Sequence, residues 1–176
     1  MDAQETLTWE HRGALLDWLL QIHAMCPFNP ESFFICANLL DRFCSENCIA
    51  PQRLQLLGLA CLLIASKFEE ILSVSIARLV EWSDNEYTAD EIAKAERYVL
   101  EKIQWDLSYS GPMPWLRRAS RADGLDPRAR TIAKYLLEVA VFEPRLISVP
   151  PSLVAAAAFY LARLTLGEEE WVNVSS

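Results

Sequence analysis

Apolar residues recur with helical spacing along almost the whole chain. The segment "WEHRGALLDWLLQIHAMC" places several of them on one predicted helix face, at i, i+1, i+4, i+5 and i+8: Ala14, Leu15, Trp18, Leu19 and Ile22. The region from Thr8 to Glu10 supplies a start for this first helix. A second helix is predicted over "PESFFICANLLDRFCSE", with Pro30 in its first turn and Asn29 as its cap.

Three further helices are predicted before the next interruption of the pattern. Pro51 begins the third helix, which ends near Lys67. A short fourth helix runs to Trp82, with Ser73 or Ser75 as its cap. The segment "SDNEYTADEIAKAERYVLEKI" then indicates a polar turn followed by a fifth helix.

The best linker candidate is "QWDLSYSGPMP", where Gly111 and two prolines interrupt the helical period. Helices resume in "PWLRRAS", "DPRARTIAKYLLEVAVF" and "PPSLVAAAAFYLARL". A shift of 133 − 37 = 96 residues, without gaps, aligns "ANLLDRF" with "AKYLLEV" and "ACLLIASK" with "AAAFYLAR". This internal similarity suggests a duplicated helical unit, in which a helix rich in small residues ends in a cation.

Composition narrows the possible functions. Of the 176 residues, 52 % are hydrophobic and only five are glycine, which indicates a folded chain with a real core. The net charge of −8 argues against direct binding to nucleic acid or to an anionic membrane, because both need a basic surface. The start "MDAQETLTWE" is not signal-like, and "SVPPS" breaks the uncharged stretch 146–162, so we predict a soluble protein.

The cysteines are odd in number, lack C-x-x-C spacing and suit reduced thiols in the cytosol or nucleus: Cys26, Cys36, Cys44, Cys48 and Cys61. Cys44 and Cys48 with His23 would be one conceivable zinc site, but the ligand spacing is missing. We therefore interpret the cysteines as buried small hydrophobic residues, and we predict neither a metal nor a cofactor.

The motifs of common enzyme chemistry are missing from the sequence. It contains no G-x-G-x-x-G, phosphate loop, H-E-x-x-H or G-x-S-x-G, and neither histidine belongs to a Glu-x-x-His pair of the di-iron type. Asp17 and Asp41 are a conceivable catalytic pair, but Arg12 offers either one a countercharge, which favours a structural ion pair. We predict no catalytic activity.

Lys67 follows thirteen uncharged residues, "LQLLGLACLLIAS", and precedes Phe68, Glu69 and Glu70. An ammonium group rarely stays buried without a partner, because its desolvation is costly. Lys67 therefore either faces water as a helix C-terminal cation or meets a partner at the edge of the protein. These residues by themselves leave both possibilities open.

Seven stretches, in order, carry a family resemblance: "HRGALLDWLLQIH", "LLDRF", "LACLLIASKFEE", "AERYVL", "PWLRRASRAD", "KYLLEVAV" and "PPSLVAAAAFYLA". The first four resemble the cyclin box, and the others resemble the second fold of B-type, mitotic cyclins, with a fungal character. The resemblance covers about residues 8–172. It implies an all-α chain of two five-helix cyclin folds in tandem, over residues 1–107 and 108–176.

The resemblance also implies a chain shortened at both ends. The N-terminal extension that is usual in the family is missing, and "EEEWVNVSS" would end the second fold before two of its helices. The second fold is therefore expected to be incomplete, with apolar surface exposed on the helix that contains "LVAAAAFYL".

The implied function is that of a regulatory subunit in the nucleus and cytoplasm. It would bind and activate a cyclin-dependent protein kinase and so control the G2/M transition, without catalytic activity of its own. The implied kinase contacts are Lys67, Glu96, Phe68, Glu69, Glu70, Leu100, Trp105 and Leu107. Packing in the core would explain Trp105 equally well. Arg12 and Asp41 match a buried ion pair that joins the first helix to the second.

In the family, an apolar groove docks substrate or inhibitor segments of the Arg-x-Leu type. The matching residues are His11, Ala14, Leu15, Trp18, Gln21 and Gln55. Relatives usually carry methionine, isoleucine and glutamate at the positions of His11, Ala14 and Gln21. A smaller and less acidic groove is expected to dock such segments weakly.

Two alternatives to kinase activation remain. A cyclin-fold adaptor of the transcription machinery would bind nucleic acid or polymerase factors, and the negative net charge argues against it. A truncated cyclin would fold in part and activate nothing. Co-purification with a kinase, followed by a phosphotransfer assay, would separate both from the main hypothesis.

Overall fold

The computed structural model describes residues 4 and 6–168, and every regular element in that range is a helix. The α-helices are α1 (Trp9–Ala24), α2 (Pro30–Glu46), α3 (Leu54–Glu69), α4 (Ile76–Trp82), α5 (Ala89–Lys102), α6 (Pro112–Ala122), α7 (Pro127–Val141) and α8 (Pro151–Thr165). They form two compact units, with α1–α5 in Met1–Tyr109 and α6–α8 in Ser110–Ser176. The predicted all-α class is confirmed.

Local capping explains where several helices begin. The Thr8 side chain accepts a hydrogen bond from the backbone N–H of His11, and His11 Nδ1 accepts one from the Thr8 N–H at 3.1 Å. Thr88 and Glu91 form the same reciprocal capping box at the start of α5. Ser75, one of the two candidates, caps α4.

One predicted helix boundary needs correction. Pro51 begins a 3-10 turn, Pro51–Arg53, and α3 starts only at Leu54. The φ that proline imposes suits both kinds of helix, so a proline alone does not distinguish them. At the other end α3 continues to Glu69, which leaves Lys67 inside its last turn.

Helix α3 is the centre of the first unit and packs against α1, α2 and α5. Twelve of its sixteen residues are buried, which accounts for the long uncharged run in the sequence. At the α1 crossing, a Cβ on Gly58 would lie 2.8 Å from Leu15 Cδ1, closer than a normal contact. Glycine at this position therefore allows the two helices to approach closely.

A bidentate ion pair joins α1 to α2. Arg12 is only 2 % exposed, and its Nε and Nη2 donate to the two carboxylate oxygens of Asp41 at 2.6 and 2.8 Å. Asp17, the other carboxylate of the conceivable catalytic pair, instead accepts a hydrogen bond from Gln21 at 2.8 Å. Arg12 and Asp41 thus have a structural role in the first unit.

In the second unit, α8 packs against α6 and α7. Its buried face consists of Ala155, Ala158, Phe159 and Ala162. Its opposite face is also apolar and is exposed: Leu153, Ala156, Ala157, Tyr160, Leu161 and Leu164. The expectation that "EEEWVNVSS" ends the chain early falls on residues 168–176, of which 169–176 lie outside the described range.

The second unit contains a buried ion pair that sequence analysis missed. Arg163 near the end of α8 donates to Asp123 at 2.9 Å, and the two side chains are 5 % and 6 % exposed. Asp123 directly follows α6, forty residues earlier in the chain (163 − 123 = 40). The two residues are not i,i+3 or i,i+4 neighbours on one helix, so the helical periodicity of the sequence gave no indication of their contact.

Three of the five thiols are buried, those of Cys36, Cys44 and Cys61. Burial raises the pKa of the Cys44 thiol to about 11 and raises the pKa of Cys36 and Cys61 as well, which makes all three poor nucleophiles. The interpretation of Cys48 as buried was wrong, because its thiol lies in the exposed connection after α2.

Neither a metal cluster nor a membrane span is found in the part of the chain that the structure describes. Within it, no three His, Cys, Asp or Glu side chains come close enough to share a metal ion. His23 instead lies 3.0 Å from the Asn29 carbonyl oxygen and contacts the rings of Phe28 and Phe33. None of the described helices is both long enough and apolar enough to cross a bilayer.

Candidate functional site

Lys67 and Glu96 form an ion pair between the end of α3 and α5. Lys67 Nζ donates to both carboxylate oxygens of Glu96, at 2.7 and 2.9 Å. The Lys67 side chain is 49 % exposed, whereas that of Glu96 is 14 % exposed. The pair therefore holds a cation and an anion in fixed positions at the protein surface, where further hydrogen bonds can form.

The connector after α3 is anchored at two points. The Glu70 carboxylate accepts hydrogen bonds from Asn29 N at 2.7 Å, from Asn29 Nδ2 at 3.0 Å and from the Ser32 hydroxyl. Four residues later, the N–H of buried Val74 donates to the hydroxyl of buried Ser66 at 3.3 Å. Glu70 therefore caps the start of α2, in place of the predicted Asn29 side chain.

At the end of α3 and between these anchors, the chain presents apolar side chains to solvent. Phe68 is 53 % exposed, Leu72 is 83 % exposed and Ile71 is fully exposed. Exposed apolar residues held next to charged ones are typical of protein-binding surfaces. Sequence analysis missed Ile71 and Leu72, although two large apolar residues just outside a helix end were an available signal.

We expect Glu70→Gln to lower the free energy of unfolding of the first unit by about 1–3 kcal/mol. The substitution removes a charge from the N-terminus of α2 and weakens hydrogen bonds that a carboxylate now accepts. Urea denaturation followed by circular dichroism measures the change. Glu101→Gln, at an exposed position on α5, serves as the matched control. Equal midpoints for the two variants would contradict the capping role.

The last turn of α5 and the turn after it carry the remaining predicted contacts. Leu100 and Leu107 are half-buried, whereas Trp105 is 64 % exposed, so the alternative that Trp105 packs in the core is wrong. The Trp105 N–H donates to the Leu100 carbonyl oxygen at 2.9 Å, which places it beside the last turn of α5. Hydrogen bonds from Ser108, together with the nearby Arg42 guanidinium, hold the pKa of Asp106 below its usual range.

These residues define what we call the α3–α5 surface: Lys67, Phe68, Ile71, Leu72, Glu96, Leu100 and Trp105. The Lys67–Glu96 contact joins its two helices, and Leu100 lies one turn after Glu96 on the same face of α5. Glu69 is half-buried at the end of α3, and Glu70 is engaged by α2. The surface combines a fixed ion pair with exposed apolar groups.

The groove residues lie on α1 and α3. His11, Ala14, Trp18 and Gln21 follow one stripe of α1, and Leu15 is buried against Gly58 of α3. Gln55, half-buried, lies one turn before Gly58 on α3. His11 and Gln21 already have intramolecular partners, namely Thr8 and Asp17. Within this stripe Ala14 has a short side chain, so it presents less apolar contact area than a larger apolar residue would.

Family comparison accounts for nearly the whole chain. The model of the cyclin N-terminal domain matches residues 1–108, and that of the cyclin C-terminal domain matches residues 110–175. Curated relatives include G2/mitotic-specific cyclin-4 of Saccharomyces cerevisiae, 42 % identical over 97 % of this chain, and G2/mitotic-specific cyclin cdc13 of Schizosaccharomyces pombe, 44 % identical over 97 %. The chain spans 37 % and 36 % of the lengths of these two relatives.

Solved structures show the same fold. A viral cyclin from herpesvirus saimiri superposes with a TM-score of 0.85 at 23 % identity, over 93 % of this chain and 73 % of the viral chain. A chain of the yeast RNA Pol II CTD kinase CTDK-1 complex gives a TM-score of 0.70 at 13 % identity, over 94 % of this chain and 58 % of that one. From the two matched domains, we conclude that this chain belongs to the cyclin family.

Proposed function

We propose that this chain binds a cyclin-dependent protein kinase as its regulatory subunit, activates it and thereby controls the G2/M transition in the nucleus and cytoplasm. The α3–α5 surface carries the proposal. Its ion pair is fixed at 2.7 Å, and its apolar groups are exposed on an anchored connector. The names of the G2/mitotic-specific relatives and of the kinase complexes with the same fold support it.

Activation by such a surface needs no chemistry from the chain itself. A protein kinase is active only when its conserved Lys–Glu ion pair and its activation loop are correctly placed. A rigid partner that binds the active arrangement more tightly shifts the population toward it. Moving a kinase from about 1 % to about 99 % active requires a roughly 10⁴-fold preference for the active state. Helices packed around α3, twelve of whose sixteen residues are buried, provide the necessary rigidity.

The test is co-purification with a monomeric fungal cyclin-dependent kinase, followed by phosphate transfer to a protein substrate. We expect a complex with one copy of each chain, kinase activity only in that complex, and no ATP turnover by the kinase-free chain. A stable complex without activity would favour the truncated cyclin. Failure to bind the kinase together with binding to polymerase factors would favour the transcription adaptor.

The groove on α1 and α3 supports a finer proposal about substrates. We propose that it docks Arg-x-Leu-type segments weakly. The Gln21 amide is neutral and already donates to Asp17, so it offers an incoming arginine little attraction. Ala14 also leaves less apolar area for the leucine. Fluorescence anisotropy with a labelled Arg-x-Leu peptide would measure the affinity, and tight binding that survives Trp18→Ala would contradict the assignment.

A further inference from the structure

The turn that follows α5 has an unfavourable backbone conformation at two consecutive residues. Gln104 has φ 56° and Trp105 has φ 59°, so both lie in the left-handed region that residues with a Cβ seldom adopt. Such residues persist where the surrounding structure fixes them, and they concentrate at sites that contact ligands. The neighbouring Ile103, 7 % exposed, anchors the start of the turn in the core.

Burial of the tryptophan does not offset this strain. Trp105 is 64 % exposed, so most of its indole ring remains in water. The hydrogen bonds within the turn, such as Trp105 N–H to the Leu100 carbonyl oxygen, are of the kind that any helix end makes. The turn must therefore be held by contacts from another part of the unit.

Arg42 of α2 supplies those contacts. Its Nη1 donates to the backbone carbonyl oxygen of Asp106 at 2.9 Å, and its Nη2 donates to Asp106 Oδ2 at 3.1 Å. The other carboxylate oxygen, Oδ1, accepts the N–H of Ser108 at 2.9 Å. A planar guanidinium that donates to both the main chain and the side chain of Asp106 fixes the position and the orientation of this residue, which is next to Trp105.

We propose that Arg42 and Asp106 act as a clamp that keeps the Gln104–Trp105 turn in its strained conformation, so that the Trp105 indole meets the kinase as a pre-positioned anchor. This inference rests on the proposed kinase-binding function. Arg42 is a positioning residue in it, because it acts through Trp105.

A clamp of this kind lowers the conformational-entropy cost of binding, because the turn is already ordered in the free chain. An exposed side chain usually loses conformational freedom when it enters an interface, and a pre-ordered one loses less. Tryptophan is among the residues that most often dominate binding energy at interfaces. Trp105 is well placed for this role, because it adjoins Leu100 on the helix that carries Glu96.

A double-mutant cycle against the purified monomeric fungal cyclin-dependent kinase tests the anchor. We expect Trp105→Ala to raise Kd at least about tenfold, and Arg42→Gln to raise it about three- to tenfold in the otherwise unchanged chain. In the Trp105→Ala background, Arg42→Gln should have no further effect. An undiminished effect of Arg42→Gln in that background would overturn the positioning role.

Two matched variants control the cycle. Arg53→Gln removes another arginine of the same unit, one that lies 4.0 Å from Glu91 and is 60 % exposed, and it should leave Kd unchanged. Arg42→Lys keeps the charge but lacks the planar fork, so it should restore only part of the affinity. A fully restored affinity would show that charge alone suffices, and it would contradict the clamp.

A measurement without kinase separates this inference from the proposed function. The chain contains six tryptophans, and 5-fluorotryptophan labelling gives each a fluorine NMR signal, with Trp105→Phe identifying that of Trp105. Arg42→Gln should shift and narrow the Trp105 signal, because the indole becomes more mobile, and should leave the others in place. An unchanged Trp105 signal would overturn the clamp even if the wild-type chain binds the kinase. Absence of wild-type binding would instead overturn the proposed function and the anchor role with it.

Discussion

Alanine at Lys67 or at Glu96 is expected to weaken kinase association by roughly one to two orders of magnitude. Each charge-assisted hydrogen bond lost is worth about 1.5–3 kcal/mol, and about 1.4 kcal/mol corresponds to a tenfold change in Kd. The fold should remain intact, because the pair lies at the protein surface with Lys67 half exposed, and surface ion pairs contribute only about 0–1 kcal/mol to stability. Calorimetric titration against the kinase, with parallel thermal melts, measures both quantities.

The double variant should lose less than the sum of the two single effects. Lys67 donates to both oxygens of Glu96, so removal of either side chain already leaves its partner without a fixed position. Lys94→Ala provides the control, because Lys94 also pairs with an acidic residue of α5, Asp90, and is 74 % exposed. Wild-type affinity in both single variants would mean that the end of α3 simply faces water.

Asp41→Ala is expected to destabilise the first unit by about 3–5 kcal/mol, since it leaves Arg12 buried without its countercharge. Arg12 is 2 % exposed and makes two short hydrogen bonds to Asp41, so solvent cannot replace the lost partner. Urea denaturation monitored by circular dichroism gives the free energy of unfolding. Loss of α1 packing should also weaken kinase binding indirectly.

Asp90→Ala is the matched control for this measurement. Asp90 pairs with Lys94 one turn away on α5, but both side chains are more than 70 % exposed, at 72 % and 74 %. Its removal should change stability by less than about 0.5 kcal/mol. Equal denaturation midpoints for Asp41→Ala and Asp90→Ala would show that the Arg12–Asp41 pair contributes little.

The helices and several of their ends were predictable because their causes are local in sequence. Thr8 and Thr88 lie three residues before the groups they cap, and eleven of the buried residues of α3, 56–66, form one uninterrupted run. The start of α3 was misplaced because a proline suits a 3-10 turn as well as an α-helix. Periodicity thus predicts which segments are helical better than it predicts where they begin.

The parts of the site that sequence reasoning missed depend on contacts between distant residues. Glu70 meets Asn29 across 41 positions, and Arg42 meets Asp106 across 64. Neither separation matches a helical or turn repeat, and both pairs form only after α2, α3 and α5 have packed. The family resemblance indicated where Lys67 and Glu96 lie, but not that each is already the other's partner.

The internal repeat bears on how many kinase molecules one chain is expected to bind. Lys67 and Arg163 occupy equivalent positions, since 163 − 67 = 96, the shift that aligns the two copies. The first cation is 49 % exposed at the surface, whereas the second is 5 % exposed and pairs with Asp123. The two aligned positions are therefore not equivalent as docking points. Under the proposed function, we expect the chain to bind one kinase molecule through Lys67 and none through the equivalent Arg163.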